Sequence, residues 1–171
     1  MSPIRGVIFD LDDTLFDCTG QLTEPARRRA ASVFSRHTPD ATAHDLTALQ
    51  RELSDRLGSS DAIREIGMRY GLAPSVVDEA LLTYNRDDVP AIKAYPDAAS
   101  TLDTLLDQGL VLSLVTTGRR GRQFSKLDRL ALSGYFQADR NIFVHEPDES
   151  HPHKDKQLKE ALTVAGLLAA E

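Results

Sequence analysis

The chain has 171 residues, enough for one domain or for one core with a small insertion. Lys and Arg number 20 against 26 Asp and Glu, and a net charge of −6 argues against nucleic acid as the main partner, since phosphate-backbone binding needs a basic face. Apolar residues at 41% and charged residues at 27% fit a soluble globular protein with a buried core, and a single cysteine, Cys18, excludes an intrachain disulfide.

Residues 4–9 (Ile-Arg-Gly-Val-Ile-Phe) read as a buried parallel strand, because they are short, apolar and β-branched. Asp10, Asp12 and Asp13 follow at once. Acids there fit no secretory signal, and no apolar run approaches the roughly 20 residues that span a bilayer. A cytoplasmic protein with no membrane partner is expected.

From Thr23 the period becomes helical. Ala26, Ala30, Val33, Phe34 and His37 share a face, with Thr23 as cap and Pro25 in the first turn. A second helix opens at Thr42 with Asp45 as its capping box, runs through Leu46, Leu49, Leu53 and Leu57, and stops at Gly58. A third uses Ile63, Ile66 and Tyr70 and stops at Gly71; a fourth begins at Pro74. Pro96 then opens a helix through Ala98, Leu102, Leu105 and Leu106. Residues 110–115 form a second apolar strand that ends in Thr116-Thr117-Gly118. Residues 120–131 are helical through Phe124, Leu127 and Leu130, residues 141–144 form a third strand, and residues 155–170 form a last helix.

Strands alternating with helices predict a parallel α/β sheet. A bare βαβ unit needs about 30 residues, whereas the stretch from Asp10 to Thr116 is more than three times as long. The excess matches the four-helix run. Residues 1–18 and 92–171 therefore read as the core, and residues 19–91 as a helical insertion at the C-terminal end of the first strand. Ligands bind at that end of open α/β sheets, so the insertion reads as a lid.

Residues i and i+2 of an extended chain face the same side, so Asp10 and Asp12 can meet one ligand together. A divalent cation relieves the repulsion between two carboxylates, and one carboxylate can attack phosphorus while the other handles protons. A calcium loop fits poorly, since Leu15 holds the glycine position and Gln21 the bidentate-glutamate position. The hydroxyl and free N–H groups at Thr116-Thr117-Gly118 suit a phosphoryl oxygen. Of two lysines at the start of the last helix, Lys154 is in phase with Leu158, Ala161, Leu162 and Ala165 and points inward. Lys156 pairs with Glu160 on the surface.

Phe-Asp-Leu-Asp-Asp-Thr-Leu over residues 9–15, Leu-Val-Thr-Thr-Gly over residues 114–118, and Lys154 resemble the first three motifs of the haloacid dehalogenase-like hydrolases, in order and over essentially the whole chain. The resemblance implies a Rossmann-like parallel sheet core with an inserted α-helical cap. It implies Asp10 as nucleophile, Asp12 as general acid and then base, Thr116 as a phosphoryl ligand with Thr117 and Gly118 beside it, and Lys154 as the charge that steadies the phosphate. Mg²⁺ would be held by the Asp10 carboxylate and the Asp12 backbone carbonyl. Asp12 favours the phosphatase branch, because the family's dehalogenases lack an acid there. The expected activity is Mg²⁺-dependent hydrolysis of a small phosphorylated metabolite through a phospho-aspartate. The family's fourth motif, an acidic pair on a further strand, has no counterpart: no Gly-Asp dipeptide occurs, and past Lys154 the only acids are Asp155, Glu160 and Glu171. The core therefore reads as truncated at its C-terminal end, with weak Mg²⁺ binding and self-association through an exposed sheet edge. The competing reading is a truncated or degenerate core that binds phosphate or a partner without turnover.

Other candidates read more plainly. His145, Glu146, His151 and His153 could bind a transition metal but suit a polar loop better. Cys18 reads as a bystander thiol. Arg27-Arg28-Arg29 reads as a solvated helix face, and Arg119, Arg120 and Arg122 as surface or as contacts for an anionic substrate.

Overall fold

Three parallel strands, β1 (Gly6–Phe9), β2 (Val111–Thr117) and β3 (Ile142–His145), form one sheet in the order β1-β2-β3. The computed structural model describes residues 4–86, 88–136, 140–146, 154–164 and 166. Register runs from Gly6 opposite Val111 to Phe9 opposite Leu114, and from Leu114 opposite Ile142 to Thr117 opposite His145. β2 lies between two neighbours, and its residues from Leu112 to Thr116 are all buried.

Strand ends depart from the sequence reading. β1 starts at Gly6, not Ile4, whose side chain is 76% exposed, and all four of its residues are only half-buried. The reason is topological: among the described residues β1 has a strand on one side only. β2 continues through Thr116 and Thr117 because these pair with Val144 and His145. The two threonines thus sit on the strand's C-terminal end.

The chain divides into two compact units, Met1–Cys18 with Asp88–Glu171, and Thr19–Asp87. The second is helical: a π-helical turn at Thr19–Thr23, then α1 (Glu24–Ser35), α2 (Ala43–Leu57), α3 (Ser59–Arg69) and α4 (Pro74–Tyr84). Phe34, Leu46, Leu53, Ile63 and Ile66 form its core. The capping box at Thr42 and Asp45 is present in both directions. Gly58, at φ +81°, ends α2 and leads into α3, a backbone conformation that side chains resist. Gly67 of α3 is fixed by packing instead, because a β-carbon there would overlap Val77 Cγ2.

Some expected positions change face. Thr23 makes no cap, since the chain is already helical before it. His37 is exposed, as is Leu57 at 45%, while Thr47 and Gln50 take inward positions on α2. Arg27 is buried, not solvated: its Nη1 donates to Glu24 Oε1 at 2.7 Å, and Arg51 Nη2 reaches Glu24 Oε2 at 2.6 Å. Hydrogen bonds from Arg51, opposed by burial and joined by those from Arg27, pull the Glu24 carboxyl down to about 2. The ordinary value in the unfolded chain is higher, so this contribution is complete above about pH 4.5 and is lost as pH falls from about 4.5 towards 2. At pH 7 Glu24→Gln should therefore melt below the native chain, and that gap should close in thermal melts near pH 2.

In the sheet-bearing unit, α5 (Ala98–Asp107) packs on β2, α6 (Arg120–Arg129) on β3, and α7 (Asp155–Val164) on both β2 and β3. Leu102 is fully buried on α5, while Leu106 is 44% exposed. The expected last helix beyond Gly166 lies outside the described residues.

Candidate active site

The chain leaves β1 at Phe9 and curls into a tight turn, with Leu15 N–H donating to Leu11 O at 3.0 Å and Asp13 at φ +57°. Fully buried Leu11 and Phe16 anchor this turn on either side of Asp12 and Asp13. It therefore presents its carboxylates from a fixed base. Asp10 Oδ1 accepts from Leu11 N–H at 2.8 Å. Its other oxygen receives Lys154 Nζ at 2.6 Å, and the same ammonium lies 3.5 Å from Val115 O. Lys154, just before α7, thus joins Asp10 to the C-terminal half of β2. Lys156 pairs outside with Glu160, at 4.0 Å.

Asp12 has different partners, two of them on α6. Lys126 Nζ stands 2.7 Å from Oδ1 and 2.8 Å from Oδ2. This lysine is only 5% exposed. It also lies 5.9 Å from the centre of the Phe16 ring and 4.0 Å from Cys18 Sγ. Gln123, one turn earlier and 2% exposed, sets the two N–H groups of Nε2 among three acceptors, Thr117 O at 2.5 Å, Thr116 Oγ1 at 2.9 Å and Asp12 Oδ2 at 3.3 Å. Three acceptors around one nitrogen fix the amide's orientation, since the reverse would set oxygen against oxygen. Because Thr116 Oγ1 accepts here, its own hydroxyl hydrogen is left to donate elsewhere. Gly118, at φ +139°, donates its N–H to His145 O at 2.8 Å, and a β-carbon on it would stand 3.0 Å from Gln123 Nε2.

Asp10, Asp12, Thr116, Thr117, Gly118 and Lys154 are thus brought to one end of the sheet, where Gln123 ties Asp12 to Thr116 and Thr117 and Lys126 pairs with Asp12. Gln123 and Lys126 lie outside the sequence motifs, on the helix whose expected apolar stripe is Phe124, Leu127 and Leu130, yet both are in phase with Leu127 and Leu130. A lysine inside an apolar stripe was the available signal, because such a group is buried only when paired.

The remaining candidates settle plainly. Burial first, and then the Asp12 carboxylate, push the Cys18 thiol up to about 12 against the pull of Lys126, so it stays a neutral thiol. Glu146 accepts from Arg120 N–H at 2.5 Å and so caps α6. His145 is buried with Nε2 unpartnered among the described residues, and His151 and His153 lie outside those residues. Arg120 stacks over Phe124, 5.0 Å from its ring centre.

The Asp10 carboxylate could offer a divalent cation an oxygen: its side chain is 40% exposed, and each oxygen accepts one hydrogen bond, from Leu11 N–H or Lys154, and keeps a further lone pair. Mg²⁺ suits such a site, because it keeps several waters and binds through one or two carboxylates together with substrate phosphate. Among the described residues no group of three His, Cys, Asp or Glu could hold a metal.

A parallel sheet with carboxylates, hydroxyl and lysine at its C-terminal end defines a Rossmann-like hydrolase core. The chain belongs to the haloacid dehalogenase-like hydrolase family, whose sequence profile matches residues 7–171. It is 30% identical over 175 residues to the glyceraldehyde 3-phosphate phosphatase of Methanocaldococcus jannaschii, covering 98% of this chain and 74% of that protein. Solved structures share the fold. A family hydrolase from Deinococcus radiodurans with bound phosphate and sodium is 18% identical with a TM-score of 0.62, over 97% of this chain and 69% of that one. One from Bacillus subtilis bound to magnesium is 19% identical with a TM-score of 0.55, over 84% and 64%. The chain spans between 58% and 74% of the length of the curated relatives it matches. No helix of the described residues is long and apolar enough to cross a membrane.

Proposed function

We propose that this protein hydrolyses small phosphorylated metabolites through a phospho-aspartate on Asp10, with Mg²⁺ as cofactor. The observation that carries this reading is the pairing of each carboxylate with its own lysine, Asp10 with Lys154 and Asp12 with Lys126. Two negative charges alone would repel a phosphate dianion; two neutralised ones do not. The names of the relatives support a substrate of the size of glyceraldehyde 3-phosphate.

In this mechanism an Asp10 oxygen attacks phosphorus and the bond to the leaving oxygen breaks. Asp12 gives its proton to that oxygen as it departs. A water then attacks phosphorus, returns a proton to Asp12, and releases inorganic phosphate and the free Asp10 carboxylate. Thr116 donates its hydroxyl to a phosphoryl oxygen, Thr117 and Gly118 shape the turn, and Lys154 balances the charge shared between Asp10 and phosphate. Bound Mg²⁺ would neutralise charge on the phosphoryl oxygens. Residues 1–18 and 92–171 act in this reading as the catalytic core, with residues 19–91 as the inserted cap.

The test is phosphate release over a panel of short phosphorylated metabolites, glyceraldehyde 3-phosphate included, with Mg²⁺ and with EDTA. Turnover that EDTA removes and Mg²⁺ restores is expected. Phosphate binding without any turnover would favour the non-catalytic alternative.

A further inference from the structure

We infer that Lys126 is a positioning residue for the proton-transfer step, holding the Asp12 carboxyl at its working angle. This rests on the reading of Asp12 as general acid. Four observations carry it.

The first is geometric. A single ammonium within 2.7 and 2.8 Å of both Asp12 oxygens fixes the rotation of that carboxyl, which one hydrogen bond would leave free. The second is burial. Lys126 is 5% exposed while the Asp12 side chain is 31% exposed, so the lysine is the fixed member and the carboxylate the one that faces outward. The third is the support beneath the lysine: it lies 5.9 Å from the centre of the fully buried Phe16 ring, and Leu127 is 1% exposed beside it on α6. The fourth is Gln123. From the preceding turn of α6 it joins Asp12 Oδ2 to Thr116 Oγ1 and Thr117 O. One helix thus sets both the proton donor and the turn read as the phosphoryl site.

The chemistry follows from aim. In the proposed cycle Asp12 passes a proton to the leaving oxygen and takes one back from water, and both transfers need its oxygens directed at the reacting atoms; the two contacts from Lys126 hold them there. General acid catalysis contributes on the order of 10² to 10⁴ in rate. Its benefit depends on the leaving group. An alkyl phosphate expels a strongly basic alkoxide that needs the proton, whereas p-nitrophenolate leaves without it.

The experiment uses the intact chain and two substrates, glycerol 3-phosphate and p-nitrophenyl phosphate. Lys126→Met should lower kcat on the alkyl phosphate about 100-fold and on the nitrophenyl ester less than about 10-fold, with KM little changed. Lys126→Arg should recover much of the alkyl activity, because it restores a buried cation. In an Asp12→Asn background, Lys126→Met should change the ratio between the two substrates no further, as two residues acting through one proton require. Equal losses on both substrates, or a ratio that still shifts without Asp12, would overturn the inference and leave Lys126 a packing residue. If Lys126→Met does not fold, the same ratios measured on Lys126→Gln, which keeps a polar group facing Asp12 without the charge, decide between these outcomes. A native chain inactive on both esters would remove the hydrolase reading and this inference with it, a result distinct from an active chain whose two rates fall together.

Discussion

Replacing Asp10 with Asn is expected to reduce phosphate release by at least about 10⁴-fold, on the order of 5 kcal/mol of barrier. Asp10 is the first residue past β1, and its carboxylate already meets Lys154 at 2.6 Å. An amide preserves the size of the side chain but neither its charge nor its nucleophilicity. The fold should survive, since the group is 40% exposed and lies outside the buried core. Circular dichroism checks the fold and a phosphate-release assay the chemistry. Asp10→Ala, which cannot revert by deamidation, controls for trace activity. An Ala variant that retains a tenth of the native rate would end the covalent mechanism.

The second large effect concerns stability. Phe34 is fully buried in the core of the helical unit among Leu46, Leu53, Ile63 and Ile66. Phe34→Ala should cost about 3–5 kcal/mol, because it removes transfer energy and leaves a cavity that the packed helices around it close poorly. Whole domains are stable by only about 5–15 kcal/mol, so this one change approaches the limit of tolerance. Urea unfolding followed by far-ultraviolet circular dichroism measures it. His37→Ala, three residues along and exposed, should fall within about 0.5 kcal/mol of the native chain. Similar midpoints for the two variants would contradict the packing described.

Local signals in the sequence were legible where one residue type dictates one geometry. The capping box at Thr42 and Asp45 and the break at Gly58 are set by nearest neighbours. The strands were legible as elements but not at their ends. β1 loses Ile4 and β2 gains two threonines because pairing partners decide where a ladder stops. The site was half legible. Asp10, Asp12, Thr116 and Lys154 lie at strand and helix ends, where a short motif shows itself. Gln123 and Lys126 sit mid-helix, and their polar character hid them among positions sorted by hydrophobicity. Arg27 was misplaced for the same reason, since Glu24 and Arg51 make its burial tolerable and neither adjoins it. Polar residues turn inward for a partner, and that partner is often remote in sequence: Lys126 and Asp12 are 114 residues apart.

The bare backbone at Gly118 makes the site sensitive to a change that carries no charge at all. A methyl group there would have to hold φ near +139° and would stand 3.0 Å from Gln123 Nε2. Relief comes most readily by swinging the amide away, and the amide is what ties Thr116 and Thr117 to Asp12. One added carbon in the turn would therefore loosen the hold on Asp12, in the loop after the neighbouring strand. The room at this position is set by a neighbour's side chain and not by any charge.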